Sequence, residues 1–390
     1  MKTNNYIKYF PGLNGLRFIA AVLVFFHHTE QHKFWMGIPS LWMDRNIPGV
    51  SYPLIVYVID NIGHQARVIF FVLSGFLVTY MFLVEKAKTD KISWKKFQIR
   101  RALRLYPVYY LVAIFAFFVL PHIINIGTFN ESLRQNFTKE IVIFGLMLPN
   151  LSRLLPPVMG ASQFWSVGVQ EQFYLTWPVA VKLFSKYFMW FLISFLLLKF
   201  GLEFLLIYIT PLLNDKPTLQ KIFSQLLFML QLFQVEQMAV GGIAAYILFK
   251  GKEKILNIIY NPIVHISVAI VFITLLFFDI HFTGYTLFSG FIAVVLIMNI
   301  SLNKKFYFSL DTGILNYLGN LSFGMYAYHT LCLAITISVL TNIRLHETNF
   351  VLFNILFYSL SFTASMILSV LSYRYFEAFF LKFKEKFKEV

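Results

Sequence analysis

Residues 13–30, LNGLRFIAAVLVFFHHTE, place an arginine at one end of an apolar run and two adjacent histidines at the other. Every residue between Arg17 and His27 is apolar, which predicts a membrane-buried helix. At about 100° per residue, Arg17 and His28 share one stripe of that helix, whereas His27 points about 80° away. His28 lies about 18 Å from the cytoplasmic end of the helix. Because an unpartnered polar group in an apolar medium costs about 2–7 kcal/mol, this imidazole requires an explanation.

The composition is that of a membrane protein. The 390 residues are 58% hydrophobic and only 13% charged, whereas soluble domains carry about 25% charged residues. A net charge of +15 would suggest nucleic acid in a soluble protein. In a membrane protein it indicates cytoplasmic loops beside anionic lipid, so we expect a membrane-lipid partner and no nucleic acid. The single cysteine, Cys332, excludes an internal disulfide and gives no sign of a metal site.

The hydropathy pattern predicts an all-α, polytopic membrane protein. Eleven apolar segments are visible, at residues 16–34, 66–84, 105–121, 139–151, 164–184, 187–208, 223–250, 261–278, 284–301, 312–340 and 350–373. The fourth is shorter than the approximately 20 residues that a spanning helix needs. If it does not cross, most Lys and Arg residues fall on one side, as the positive-inside rule requires. We therefore expect about ten spans, a re-entrant or interfacial segment at 139–151, both termini in the cytoplasm, and one membrane domain over 1–390 with no appended soluble domain.

Two polar groups suggest chemistry. His28 near the membrane centre is a functional candidate, since histidine exchanges protons near neutral pH, although a packed core histidine is an equal alternative. In RRALRLYP (residues 100–107), Arg101 and Arg104 share a helical face, and two guanidinium groups suit phosphate recognition. From the motif alone, anchoring to lipid headgroups is the favoured explanation of the same arginines.

Three further stretches carry polar residues inside apolar segments. Glu171 in the fifth segment is costly unless paired, so it either orients a histidine or bonds a neighbouring helix. Ser74 and Gly75 permit close helix approach. The remaining candidates are Trp165, Ser166, Tyr326, Tyr328 and His329.

In the order in which they occur, these motifs resemble the integral-membrane acyltransferase 3 family. The resemblance rests on LNGLR with the following His28, FFVLSGF, RRALRLYP, WSVGVQEQFYLTWP and YAYH, and it runs from residue 12 to about 377. Two residues depart from the common pattern: Asn14 stands where an aspartate is usual, and Gln170 where a second glutamate is frequent.

The resemblance implies a membrane O-acyltransferase without a metal cofactor. Its donor would be cytoplasmic acyl-CoA, usually acetyl-CoA, and its acceptor a hydroxyl of a surface polysaccharide or glycolipid. His28, Arg17 and Glu171 would be catalytic, and Arg101 and Arg104 would bind the donor. The roles of Ser74, Gly75, Trp165, Ser166, Tyr326, Tyr328 and His329 would be those of other motif residues.

Two other functions compete with this one. A proton-coupled secondary transporter would use His28 and Glu171 as an intramembrane relay, but it would leave the arginine pair without a role, and we see no internal repeat of the kind common in transporters. A non-catalytic subunit for polysaccharide export is the third hypothesis.

Overall fold

A computed structural model describes residues 6–41, 54–124, 127–278, 280 and 282–387. These residues contain no strand and form sixteen α-helices: α1 Leu13–Trp35, α2 Leu54–Thr89, α3 Trp94–Ile114, α4 Leu120–Ile123, α5 Gly127–Gly145, α6 Trp165–Phe184, α7 Phe188–Ile209, α8 Pro217–Leu232, α9 Val235–Phe249, α10 Glu253–Ile259, α11 Pro262–Phe277, α12 Tyr285–Leu302, α13 Gly313–Asn342, α14 Leu345–Thr348, α15 Phe350–Leu371 and α16 Ala378–Lys384. Two π-helical turns, Phe115–Val119 and Ser372–Glu377, continue α3 and α15. The all-α class is confirmed.

Six helical stretches of the described chain are long and apolar enough to cross a membrane, or eight if two bent pairs each count as one span. One stretch, Ser162–Leu213, has 52 residues and joins α6 to α7. At 1.5 Å per residue this exceeds twice the thickness of a hydrocarbon core. None of the stretches includes 139–151, in agreement with a segment that does not cross. The total of ten spans stays a prediction, and the chain ends whose side was predicted, residues 1–5 and 388–390, lie outside the described residues.

The centre of the fold is α2, which packs most extensively against α9. Gly75 allows this contact, because a Cβ there would lie 1.9 Å from the backbone oxygen of Met238. Gly241 of α9 makes the reciprocal close contact, since a Cβ there would lie 2.2 Å from the backbone oxygen of Val72. The predicted close approach at Ser74-Gly75 is therefore a backbone contact between two helices.

One predicted segment is broken, and another is preceded by a sharp bend. Segment 223–250 divides into α8 and α9, which are bent by 41°, and segment 261–278 is only α11, preceded by the short α10 at 54°. The first break falls at Phe233 and Gln234, where neither proline nor glycine signals it. The second precedes Pro262, which occupies the first position of α11, where its missing N–H costs nothing.

Two helices are longer than hydropathy predicts. The arginine motif of residues 100–107 belongs to α3 rather than to a loop, and Pro107 lies inside that helix. Helix α2 begins at Leu54 instead of residue 66. Its first turns carry Asn61 and Gln65, which lower the local hydropathy but bond neighbouring helices.

Candidate functional site

A cavity of about 430 Å³ lies between α1, α2, α3, α6 and α13. The structure brings many of the sequence candidates to its wall, namely Arg17, His28, Ser74, Arg101, Arg104, Trp165, Ser166 and Tyr326. One continuous space thus reaches both the intramembrane histidine and the arginine pair.

A chain of hydrogen bonds fixes the orientation of His28. His329 Nδ1 lies 2.7 Å from the backbone oxygen of Tyr326, and His28 Nδ1 lies 2.7 Å from His329 Nε2. A carbonyl only accepts, so the neutral His329 carries its proton on Nδ1 and accepts on Nε2. His28 must then donate from Nδ1, which leaves its Nε2 unprotonated. The two rings lie nearly parallel, with centroids 5.0 Å apart.

His27 faces a different helix. Its Nδ1 lies 3.0 Å from the backbone oxygen of Ile59, and its ring rests on Gly63, where a Cβ would approach the ring to 2.3 Å. His27 also borders the cavity, but its contacts are with α2, whereas those of His28 are with α13.

Five arginines and no Asp or Glu line the cavity among the described residues: Arg17, Arg67, Arg101, Arg104 and Arg153. The cavity wall is therefore strongly positive. Arg67 and Arg153 are functional candidates that the sequence reasoning missed, although an arginine within apolar segment 66–84 is a signal of an intramembrane site. Burial lowers the pKa of Arg153, which lies on the short 3₁₀ turn Leu151–Leu154 outside the spanning helices.

Arg101 is held in place by α6. Its Nε donates to Glu171 Oε1 at 2.7 Å, and its guanidinium lies 3.4 Å from the centre of the Tyr174 ring. Of the two alternatives for Glu171, the structure shows the bond to a neighbouring helix, and its partner is Arg101 of α3 rather than a histidine. Glu171 lies about one and two-thirds turns along α6 from Trp165, and its carboxylate bonds Arg101 rather than His28. Arg104 lies beside Arg101 on the cavity wall, with no hydrogen bond to a described residue.

The opposite wall is built around Tyr326. Its hydroxyl donates to the backbone oxygen of Gln163 at 2.5 Å, so the Ser166 hydroxyl, 2.7 Å away, donates to it in turn. The Trp165 ring has two guanidinium groups near it, Arg67 at 5.3 Å and Arg153 at 4.6 Å from the ring centre.

Four of the predicted residues do not line the cavity. Glu171 and His329 stand behind Arg101 and His28 and bond them directly. Gly75 forms the α2–α9 contact. The Tyr328 hydroxyl donates to Ser372 Oγ at 2.9 Å, which joins α13 to the π-helical turn after α15.

Known proteins resemble this chain in sequence. It is 28% identical over 188 residues to the peptidoglycan O-acetyltransferase OatA of Listeria monocytogenes, covering 46% of this chain and 25% of that protein. It is 26% identical over 183 residues to the O-acetyltransferase OatA of Staphylococcus aureus, and 24% identical over 181 residues to the putative peptidoglycan O-acetyltransferase YrhL of Bacillus subtilis. Those alignments cover 45% and 44% of this chain, and 25% and 24% of the relatives. The match thus spans about a quarter of the length of each relative.

No solved structure matches the chain. The family model described as "Acyltransferase domain" matches residues 10–374, which is nearly the whole chain and includes every residue of the cavity wall. The resemblance predicted from the motifs is confirmed: the chain belongs to the integral-membrane acyltransferase 3 family.

Proposed function

We propose that the protein transfers an acyl group, by preference acetyl, from acyl-CoA to a carbohydrate hydroxyl. The observation that supports this is the single cavity shared by His28 and the pair Arg101 and Arg104. The names of the relatives support acetyl as the acyl group and a cell-wall glycan as the class of acceptor.

His28 is the general base of this proposal. The acceptor oxygen attacks the thioester carbon, a C–O bond forms and the C–S bond breaks. Nε2 of His28 takes the hydroxyl proton and then returns it to the departing thiolate, so the products are the ester and free CoA thiol. General base catalysis contributes about 10²–10⁴-fold. The imidazolium formed in this step keeps its Nδ1 hydrogen bond to His329, which stabilises the charge.

The arginines bind the donor. CoA carries several phosphate groups, and guanidinium groups engage phosphate oxygens in pairs. Glu171 bonds Arg101 Nε from behind the cavity wall and Tyr174 packs on its guanidinium, which leaves the two terminal nitrogens of the guanidinium for the ligand. Arg104 has no hydrogen bond to a described residue and is open to the same phosphates. In this proposal the end of the cavity at Arg101 and Arg104 faces the cytoplasmic side of the cell membrane, because CoA is made in the cytoplasm. Both termini of the chain lie on the same side.

The contacts of Glu171 weigh against the transporter hypothesis. A relay needs Glu171 to exchange protons with His28, but its carboxylate bonds Arg101 and the Tyr106 hydroxyl. A carboxylate held by these two partners does not contact His28 and is not placed to pass a proton to it.

Transfer of label from acetyl-CoA to envelope carbohydrate tests the proposal in membranes that contain the protein. His28→Asn keeps an amide N–H near the former Nδ1 but removes the base, so transfer should fall about 10²–10⁴-fold. His27→Asn is the matched control, because it keeps a donor for the Ile59 oxygen, and it should retain most activity. Equal loss in both variants contradicts the assignment of His28, and uptake of label without esterification selects transport.

A further inference from the structure

A second cavity, of about 610 Å³, lies between α2, α7, α8, α9 and the start of α12. Its wall carries equal numbers of cationic and anionic side chains: Arg67, Arg153 and Lys199 against Asp60, Glu203 and Glu236. The first cavity has five arginines and no acid among its described lining residues. The two spaces therefore suit different ligands, an anionic one in the first and an uncharged polar one in the second.

Lys199 does not bias the second cavity towards anions. Its Nζ lies 2.6 Å from Glu203 Oε1 and 2.8 Å from Glu236 Oε2, so two carboxylates compensate one ammonium. Lys199 and Glu203 form an i,i+4 pair within α7, and Glu236 of α9 extends it to a triad.

The break between α8 and α9 forms one wall. Gln231 lies in the last turn of α8, and Gln234 is the N-cap residue of α9 at the 41° bend. Oε1 of Gln234 is buried and accepts no hydrogen bond from a described residue. Irregular backbone at membrane depth is tolerated where it lines a cavity, and broken helices frequently form substrate sites.

The rest of the wall suits a sugar. The rings of Phe200, Phe228 and Phe282 border the cavity together with the amides and carboxylates. Hydroxyl groups of a sugar both donate and accept, so they match a wall of amides and carboxylates, while its C–H faces pack on aromatic rings.

The two cavities meet at Arg67 and Arg153, which line both. The guanidinium groups of both lie near the ring of Trp165, which borders the first cavity. Nε of Arg67 is buried without a partner among the described residues, so this junction retains an unused donor. A ligand in the second cavity can therefore present a group at the entrance to the first.

We propose that the second cavity binds the acceptor as an uncharged, hydroxyl-rich glycan segment, whose reacting hydroxyl passes between Arg67 and Arg153 towards His28. This inference rests on the proposed acyl transfer. It assigns donor and acceptor to separate cavities, so each can be blocked without blocking the other.

The test obstructs only the second cavity. Gln231→Cys places a thiol on its wall, while the natural Cys332 is buried, 4% exposed, away from both cavities. Ser224→Cys is the matched control, exposed on α8 two turns earlier and outside the cavity. Membranes from native cells are treated with a bulky methanethiosulfonate reagent and washed. Binding of labelled CoA and transfer of labelled acetyl to envelope carbohydrate are then measured.

Modified Gln231→Cys should transfer at least 10-fold less acetyl, with CoA affinity within twofold of the untreated protein, and modified Ser224→Cys should change neither. Unchanged transfer after complete modification of Gln231→Cys overturns the inference. Parallel loss of CoA binding also overturns it, because the second cavity would then belong to the donor. If the unmodified natural chain transfers no acetyl, the proposed function itself fails.

Discussion

Replacing His329 tests whether a residue outside the cavity governs the reaction inside it. His329→Leu removes the acceptor 2.7 Å from His28 Nδ1 and fills a site that is 1% exposed with a side chain of similar size. A hydrogen bond to a group that becomes charged contributes about 1.5–3 kcal/mol. At 1.4 kcal/mol per factor of ten, kcat should fall about 10- to 150-fold. His329→Gln restores an oxygen acceptor near the former Nε2 and should recover most of that loss.

The assay is acetyl transfer in membranes at varied acetyl-CoA concentration, with protein amount normalised by immunoblot. Because His329 does not touch the cavity, donor KM should stay within about threefold in both variants. Equal activity of the Leu and Gln variants would refute the reasoning, since both would then act by packing alone. A rise in donor KM without loss of kcat would also refute it.

Three further predictions follow from single contacts. Gly75→Val drives a side chain into the backbone oxygen of Met238, which lies 1.9 Å from the Cβ site. The free energy of unfolding should fall by about 3 kcal/mol or more, above the usual ~1–3 kcal/mol of overpacking. Thermal unfolding in detergent measures this fall, and a value below about 1 kcal/mol contradicts the contact. Glu171→Ala releases Arg101, whose Nε lies 2.7 Å from the carboxylate, and should raise donor KM about 10-fold with a smaller change in kcat. Initial rates against donor concentration measure both constants, and a change in kcat alone would argue against a donor-positioning role. Burial raises the pKa of Glu140, on the non-spanning α5, to about 7, so the folded state favours the protonated acid and loses stability as pH rises from about 4.5 to 7. Glu140→Gln should therefore be up to about 3 kcal/mol more stable than the natural chain at pH 8 and equally stable at pH 4. Unfolding temperatures measured at both pH values test this, and a pH-independent difference would refute it.

Hydropathy predicted where helices lie better than where they break or begin. Hydropathy measures how well a segment suits an apolar medium. It therefore predicted one segment over α8 and α9, because Gln234 is a single polar residue between apolar neighbours. It also placed the start of α2 too late in the sequence and omitted the first turns, where Asn61 donates to the backbone oxygens of Leu276 and Phe278. The second error arises because a polar side chain bonded by another helix has the same hydropathy as one in water. The first arises because hydropathy carries no signal of a change in helix direction.

The candidate residues were visible as costly polar groups, but their partners were not. His28 and His329 are 301 residues apart in sequence, and Arg101 and Glu171 are 70 apart. Periodicity relates residues within one helix and carries no information on which helices adjoin. Arg67 was missed for a different reason: it stands at the edge of predicted segment 66–84, where an arginine normally reaches for lipid headgroups.

Helix α2 also sets a length scale for the molecule. It runs unbroken for 36 residues, about 54 Å, and borders the second cavity at Asp60 and the first at Val78. Gly63 and Arg67 of the same helix also border the first cavity, so the two chambers overlap along α2 and together extend roughly 27 Å along its axis. The donor and the acceptor proposed above must together reach along that length to meet at His28, so molecules whose combined reach is too short would be excluded by geometry alone.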